Sequence, residues 1–227
     1  MITIVVFDLD DTLYDEIEYC KSGFAAAAKS LSGRQGLATY ETLFNAFWRQ
    51  FTAGNRSHAF DAGLDEAGVK YNDELIANLV KTYRRHSPQI TLPCETKDAL
   101  EALYKKYKLA LLTDGFLPAQ ELKVSAMGIE KYFRCIIFTE KLGRQFWKPS
   151  PLGFEEIIRR FDAKPQNCAY IADNEGKDFI APNKLGFSTI KVVRPAGFHT
   201  EKNPDAAAQP QHTINSLRGL AGLLERL

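Results

Sequence analysis

The stretch VVFDLDDTLYDE, residues 5–16, decides how the rest of the chain is read. A run of strand-forming apolar residues, Ile2–Phe7, ends abruptly in the carboxylates Asp8, Asp10 and Asp11. Like charges about 4 Å apart repel by roughly 4 kcal/mol at an effective dielectric near 20, so a positive partner has to sit beside them. Nothing within the stretch supplies one. The neutralising charge must come from outside the stretch.

Four further apolar runs, Leu109–Thr113, Cys135–Phe138, Ala169–Ala172 and Thr189–Val193, have the character of strands buried on both faces. Each follows a helix-like segment, and that alternation predicts a parallel sheet with helices on both faces, a Rossmann-like α/β fold. The clearest helix follows Lys148, with Ser150 as N-cap, Pro151 in the first turn and Phe154, Ile157, Ile158 and Phe161 on one face. Residues 15–87 break the rhythm. They carry helical patterns around Phe24–Leu31, Tyr40–Phe51 and Asp73–Arg85, separated by turns such as SGRQG and AGNRS, and no convincing strand. The expected organisation is therefore an α/β core of residues 1–14 and 88–227, interrupted by an all-α insert of residues 15–87. A short edge strand at His212–Ile214 and a last helix from Ser216 complete the core.

The 227 residues, 45% hydrophobic and 25% charged, suffice for one core plus a smaller helical unit. A net charge of +1 gives no reason to expect a nucleic-acid or anionic-membrane partner. No stretch approaches the roughly 18 apolar residues of a membrane span. The N-terminal apolar run has no basic flank and meets acid after seven residues, unlike a secretory leader, so a cytoplasmic protein is expected. Cys20, Cys94, Cys135 and Cys168 form no CxxC pair and read as reduced thiols. His86, His199 and His212 show no ligand spacing and read as surface or loop residues.

In an open parallel sheet, ligands bind outside the carboxyl ends of the strands. Asp8 and Asp10 lie at the end of the first strand, Thr113 and Asp114 at the end of the second, and Asp173 at the end of the fourth. Topology thus brings the acids together. Any one strand-ending Asp could be an ordinary helix cap. Four such residues together with a lysine are harder to explain that way.

The combination resembles the haloacid dehalogenase superfamily in its phosphatase branch. FDLDDTL resembles the family's first motif, LLTDG its second, Lys148 in KPSPLGF its third and IADNEGKD its fourth. The resemblance implies that Asp8 is a nucleophile forming an aspartyl-phosphate, and that Asp10 is the acid and base for the leaving alkoxide and the attacking water. It implies that Thr113, with the backbone of Asp114 and Gly115, holds phosphoryl oxygens, and that Lys148 offsets the charge. It further implies Mg²⁺, a hard cation suited to oxygen donors, held by Asp8, the Asp10 carbonyl and Asp173, with Asp178 in support through water or by orienting Lys148. Dehalogenases of this fold lack an acid at the position of Asp10, because a departing halide needs no proton.

The insert then resembles a helical cap that reads the leaving group of a small phosphorylated metabolite, a sugar phosphate or a nucleotide. Within it Asn55, Arg56, Ser57 and His58 form the polar stretch expected to face substrate, Arg56 gripping a carboxylate or second phosphate. Tyr14 and Glu16 either touch substrate, pack or are solvated. Asp11 reads as a solvated turn residue, FAAAAK from Phe24 as close helix packing, and Phe146 and Trp147 as aromatics packing the lysine loop. Ala172 stands where the family often has Gly. A phosphomutase and a catalytically weak binding domain are the alternative readings, and monomer and dimer are both open.

Overall fold

The computed structural model describes residues 1–33, 38–199 and 201–227. In chain order the elements begin with β1 (Ile4–Phe7), α1 (Glu16–Leu31), α2 (Tyr40–Thr52), α3 (Ala59–Glu66), α4 (Asp73–Arg85) and α5 (Cys94–Leu103). They continue with β2 (Lys108–Thr113), α6 (Ala119–Met127), β3 (Cys135–Phe138), α7 (Leu152–Phe161) and β4 (Cys168–Ala172). The chain ends with α8 (Ile180–Leu185), β5 (Ser188–Val192), β6 (His212–Ile214) and α9 (Leu220–Leu224). Two compact units result, one of residues Met1–Ile17 and Thr91–Leu227, the other of Glu18–Ile90.

The first unit is a six-stranded sheet in the order β3-β2-β1-β4-β5-β6, with every pairing parallel. Its central strands β1 and β4 run apolar because both faces are covered: all four residues of β1 and all five of β4 are buried. β1 sits at the centre, and successive strands are added first to one side and then to the other. The order therefore reverses beside β1, the crevice where this architecture binds ligands. Val5 is level with Leu109 on one side and Ala169 on the other, so Asp8, Thr113 and Asp173 emerge at neighbouring strand ends. Phe154 on α7 packs edge-on to Tyr170 of β4, ring centroids 4.8 Å apart, and to Phe187 at 5.7 Å.

The second unit is helical around an aromatic core. Phe60 lies 5.1 Å from Phe47 and 5.3 Å from Phe24, and Ala27 and Ala28 are fully buried beneath them. Gly63 lets α3 approach α2, since a Cβ there would lie 2.5 Å from the Phe47 ring and 3.1 Å from its backbone nitrogen. Thr39 caps α2 by accepting from the Thr42 N–H, and Asn72 caps α4 by accepting from that of Leu75.

Several expectations need correction. α3 was not foreseen: Phe60 and Leu64 bury one face of a short helix that begins just after the AGNRS turn. α1 starts at Glu16 rather than near Phe24, and the unit boundaries fall at 17/18 and 90/91 rather than 14/15 and 87/88. Pro151 occupies the N-cap position of α7, so Ser150 lies one residue upstream, where its hydroxyl still accepts from the Leu152 N–H at 3.4 Å. His86 is buried, its ring nitrogens 2.7 Å from the Tyr83 carbonyl and 2.7 Å from the Ser22 hydroxyl. Of the SGRQG turn, Arg34, Gln35 and Gly36 lie outside the described residues. All four cysteines are free, and among the described residues no helix is long and apolar enough to cross a membrane.

Because Phe154 is wholly buried, Phe154→Ala should cost about 3–5 kcal/mol in transfer and cavity terms. Urea unfolding measures this, and a loss below about 1 kcal/mol would mean that the α7–sheet interface packs otherwise.

Candidate active site

β1 delivers Asp8 directly after Phe7, and the Asp8 N–H donates to the Ile171 carbonyl of β4 at 2.9 Å. The chain then turns tightly, with Asp11 in a left-handed conformation at φ 50°, which Asp tolerates better than most residues. Asp11 is 1% exposed, not the solvated turn residue expected. Its carboxylate accepts from the Glu16 N–H at 2.9 Å and the Phe198 N–H at 2.8 Å, and so ties the start of α1 to a distant loop.

The positive partner demanded by the acids is Lys148. Its ammonium lies 2.8 Å from Asp8 Oδ1 and 2.7 Å from Asp178 Oδ1, with its side chain 1% exposed. It also donates to the Tyr170 hydroxyl at 2.9 Å, and that hydroxyl donates to Asp178 Oδ1 at 3.2 Å. Lys148 is held in place through its backbone. Its N–H donates to the Asp114 carboxylate, 3.2 Å from Oδ2, and the Thr139 hydroxyl donates to Asp114 Oδ1 at 2.7 Å. Asp114, expected at the phosphate site, thus spends its side chain on anchoring the lysine loop. Ahead of Lys148, Trp147 packs edge-on to Phe116 at 5.5 Å while Arg144 lies over the same ring at 4.4 Å, in keeping with a packing role.

Asp10 belongs to a second, separate network. Its Oδ1 accepts from Lys123 Nζ at 2.8 Å and from the Tyr14 hydroxyl at 2.5 Å. Its Oδ2 accepts from Gln120 Nε2 at 2.9 Å, and the same nitrogen lies 2.6 Å from Thr113 Oγ1. Gly115 makes room for this glutamine, since a Cβ there would lie 2.7 Å from Gln120 Cδ. Glu16 Oε1 lies 3.8 Å from the Lys123 ammonium. Arg56 lies in the helical unit, in the turn between α2 and α3, with its guanidinium 5.7 Å from the Phe51 ring centroid.

Asp8, Asp173 and Asp178 offer carboxylate oxygens that all lie within 4.8 Å of one another, a spacing that could hold a metal ion. Asp173 Oδ2 is buried without a hydrogen-bond partner, an arrangement that costs free energy unless a cation or proton satisfies it. An all-oxygen donor set suits a hard divalent cation. The residues therefore fit the group that the motifs imply.

The environments drive the carboxyl groups apart. Burial raises Asp8 to about 6, although Lys148 pulls against it. Burial and then the charges of Asp178 and Asp8 push Asp173 up to about 9. Burial and Asp10 raise Glu16 to about 7. Burial would also raise Asp10 and Asp178, but Lys123 in the first case, and Lys148 with Lys177 in the second, outweigh it and hold both below the usual carboxylate range.

Sequence reasoning missed Gln120, Lys123, Tyr170 and Lys177. Lys177 sits within the fourth-motif stretch, 3.6 Å from Asp114 Oδ2. Gln120 and Lys123, three apart on α6 and 2% and 3% exposed, could have been suspected as polar residues on a helix close to LLTDG. For Tyr170 the signal was a hydroxyl in a strand buried on both faces, which needs a polar partner.

A model of the haloacid dehalogenase-like hydrolase family matches residues 2–186, and the chain belongs to that family. It is similar to the glyceraldehyde 3-phosphate phosphatase of Methanocaldococcus jannaschii, 27% identical over 233 residues that cover 100% of this chain and 99% of that protein. The phosphoserine phosphatase of Thermus thermophilus is 28% identical over 249 residues, 95% of this chain and 96% of its own. Among solved structures, the 2-haloacid dehalogenase from Pseudomonas syringae pv. Tomato superposes with a TM-score of 0.67 at 26% identity, covering 100% of this chain and 99% of that one.

The raised carboxyls set the pH dependence of the metal-free protein. Asp8, Glu16 and Asp173 keep protons in the folded state that the unfolded chain has released above its ordinary carboxyl pKa values near 4, so stability falls as pH rises toward about 9. With chelator present, the melting temperature should decline from about pH 5 to about pH 9, and Asp173→Asn should flatten the alkaline part. A melting temperature that rises over this range would contradict the assignment.

Proposed function

We propose that the protein is a Mg²⁺-dependent phosphatase that hydrolyses a small phosphorylated metabolite, a sugar phosphate or a nucleotide, through an aspartyl-phosphate on Asp8. It is a phosphoric monoester hydrolase; the ion, the intermediate and the substrate class are our reading. The observation that carries it is the separation of two carboxylates two residues apart, Asp8 on Lys148 and Asp10 on Lys123. A dehalogenase needs the first alone. A phosphatase needs both, since an alkoxide leaving group must take up a proton.

Asp8 attacks phosphorus, its oxygen–phosphorus bond forming as the ester oxygen–phosphorus bond breaks, and Asp10, which takes up a proton from solvent as substrate binds, hands that proton to the departing alkoxide. Asp10 then removes a proton from water as that water attacks phosphorus, and cleavage of the Asp8–phosphorus bond releases inorganic phosphate. Lys148 offsets charge on Asp8 and the phosphoryl oxygens, while the Thr113 hydroxyl and the Asp114 and Gly115 N–H groups receive those oxygens. Mg²⁺, held by Asp8, the Asp10 carbonyl and Asp173, would supply the remaining charge neutralisation, with Asp178 acting through its contact with Lys148. The helical unit, with Arg56, is assigned the choice of leaving group on the strength of the resemblance.

Phosphate release should be measured on a panel of sugar phosphates, nucleotides and p-nitrophenyl phosphate, with and without Mg²⁺. Release should require Mg²⁺, and Asp8→Asn should lower it by on the order of 10⁴-fold or more. Folded, Mg²⁺-loaded protein that releases phosphate from none of these compounds would refute the reading and direct attention to a mutase.

Mg²⁺ should also stabilise the fold without any turnover. At 100 times its Kd the gain is about 2.7 kcal/mol. Asp173→Asn should abolish that gain in thermal melts, and an unchanged gain would exclude Asp173 as a ligand.

A further inference from the structure

The face of α6 that carries Gln120 and Lys123 lies in the first unit, next to the carboxylate assigned to proton transfer. Lys123 is 3% exposed, and its ammonium is 2.8 Å from Asp10 Oδ1 and 3.8 Å from Glu16 Oε1. The Tyr14 hydroxyl converges on the same Oδ1. Gln120, one helical turn before Lys123, donates from a single nitrogen to Asp10 Oδ2 at 2.9 Å and to Thr113 Oγ1 at 2.6 Å. An amide nitrogen carries two hydrogens, so both bonds can form at once. The two carboxylate oxygens are thereby distinguished. Lys123 and Tyr14 pin Oδ1, while Gln120 turns Oδ2 toward the hydroxyl at the end of β2.

We propose that Lys123 and Gln120 are positioning residues that orient Asp10 for proton transfer to and from the reacting oxygens, a role resting on the phosphatase reading above. An aspartate has few rotamers but can turn its carboxylate freely about the last bond. Two donors on opposite oxygens remove that freedom. Misplacement of a catalytic group by about 1 Å can cost on the order of 10² in rate, comparable to much of what a general acid contributes. Lys123 is therefore tied to the proton, whereas Lys148 is tied to the phosphoryl group.

Leaving-group chemistry separates this role from a structural ion pair. An alkyl phosphate expels a strongly basic alkoxide that must be protonated, whereas p-nitrophenolate departs without help. The quantity to follow is kcat/KM, which covers the steps up to the aspartyl-phosphate and excludes its later hydrolysis. Lys123→Met should lower kcat/KM on the best sugar phosphate by about 10²-fold and on p-nitrophenyl phosphate by less than about threefold, with Lys123→Arg recovering most of the loss. Asp10→Asn serves as the reference for the same selective pattern. If Lys123→Met does not fold, Gln120→Met is read by the same two ratios. An equal loss on both substrates, or a loss on neither, overturns the proposal. If wild-type protein hydrolyses neither substrate, or Asp8→Asn retains activity, it is the phosphatase reading that fails.

Discussion

The buried ammonium of Lys148, 2.8 Å from Asp8 and 2.7 Å from Asp178, is the interaction on which the rest of the site depends. Burying ions is expensive, and a buried pair holds only when the geometry is good and the remaining hydrogen-bonding capacity is met. Here a second carboxylate and the Tyr170 hydroxyl meet it. Without the ammonium, Asp8 and Asp178 could not both stay ionised at this separation, and the centre of the sheet's carboxyl edge would lose its charge pattern. The fold guards the delivery of this lysine accordingly. Asp114, itself fixed by Thr139, catches the Lys148 backbone N–H and sets where the side chain starts.

Asp173 shows what Lys148 leaves undone. Its Oδ2 is buried without a hydrogen-bond partner, and burial with the charges of Asp178 and Asp8 drives its carboxyl up to about 9. Asp10 shows the opposite environment, held in its ionised form by Lys123, Tyr14 and Gln120 after burial is overcome. Two carboxylates at neighbouring strand ends thus receive different charge environments, a common way for one protein site to assign different chemistry to identical groups.

Most of the sheet was legible in the sequence because parallel strands covered on both faces are written as uninterrupted apolar runs; Cys135–Phe138 has the expected ends, as does the short edge strand His212–Ile214. The strand-ending acids were legible for the same reason, since topology alone brings the ends of β1, β2 and β4 together. α3 was not, because its eight residues show only two fully apolar anchors between polar flanks, too few for a periodic signal. Asp11 and His86 were misread because a polar residue near a turn is usually exposed. What buries these two is the Phe198 loop for Asp11, and Ser22 with the Tyr83 carbonyl for His86.

By itself the sequence determined the layered α/β architecture and the helical insert, and it singled out Asp8, Asp10, Thr113, Lys148, Asp173 and Asp178 as candidates. These follow from local pattern, strand-end position and motif order. Only the tertiary structure decided which carboxylate answers to which lysine, and that Asp114 anchors a loop. It also decided that Gln120 and Lys123 belong to the site at all. Such pairings depend on side-chain direction at separations of up to 140 residues, where one helix face or one rotamer decides the partner and sequence spacing carries no information.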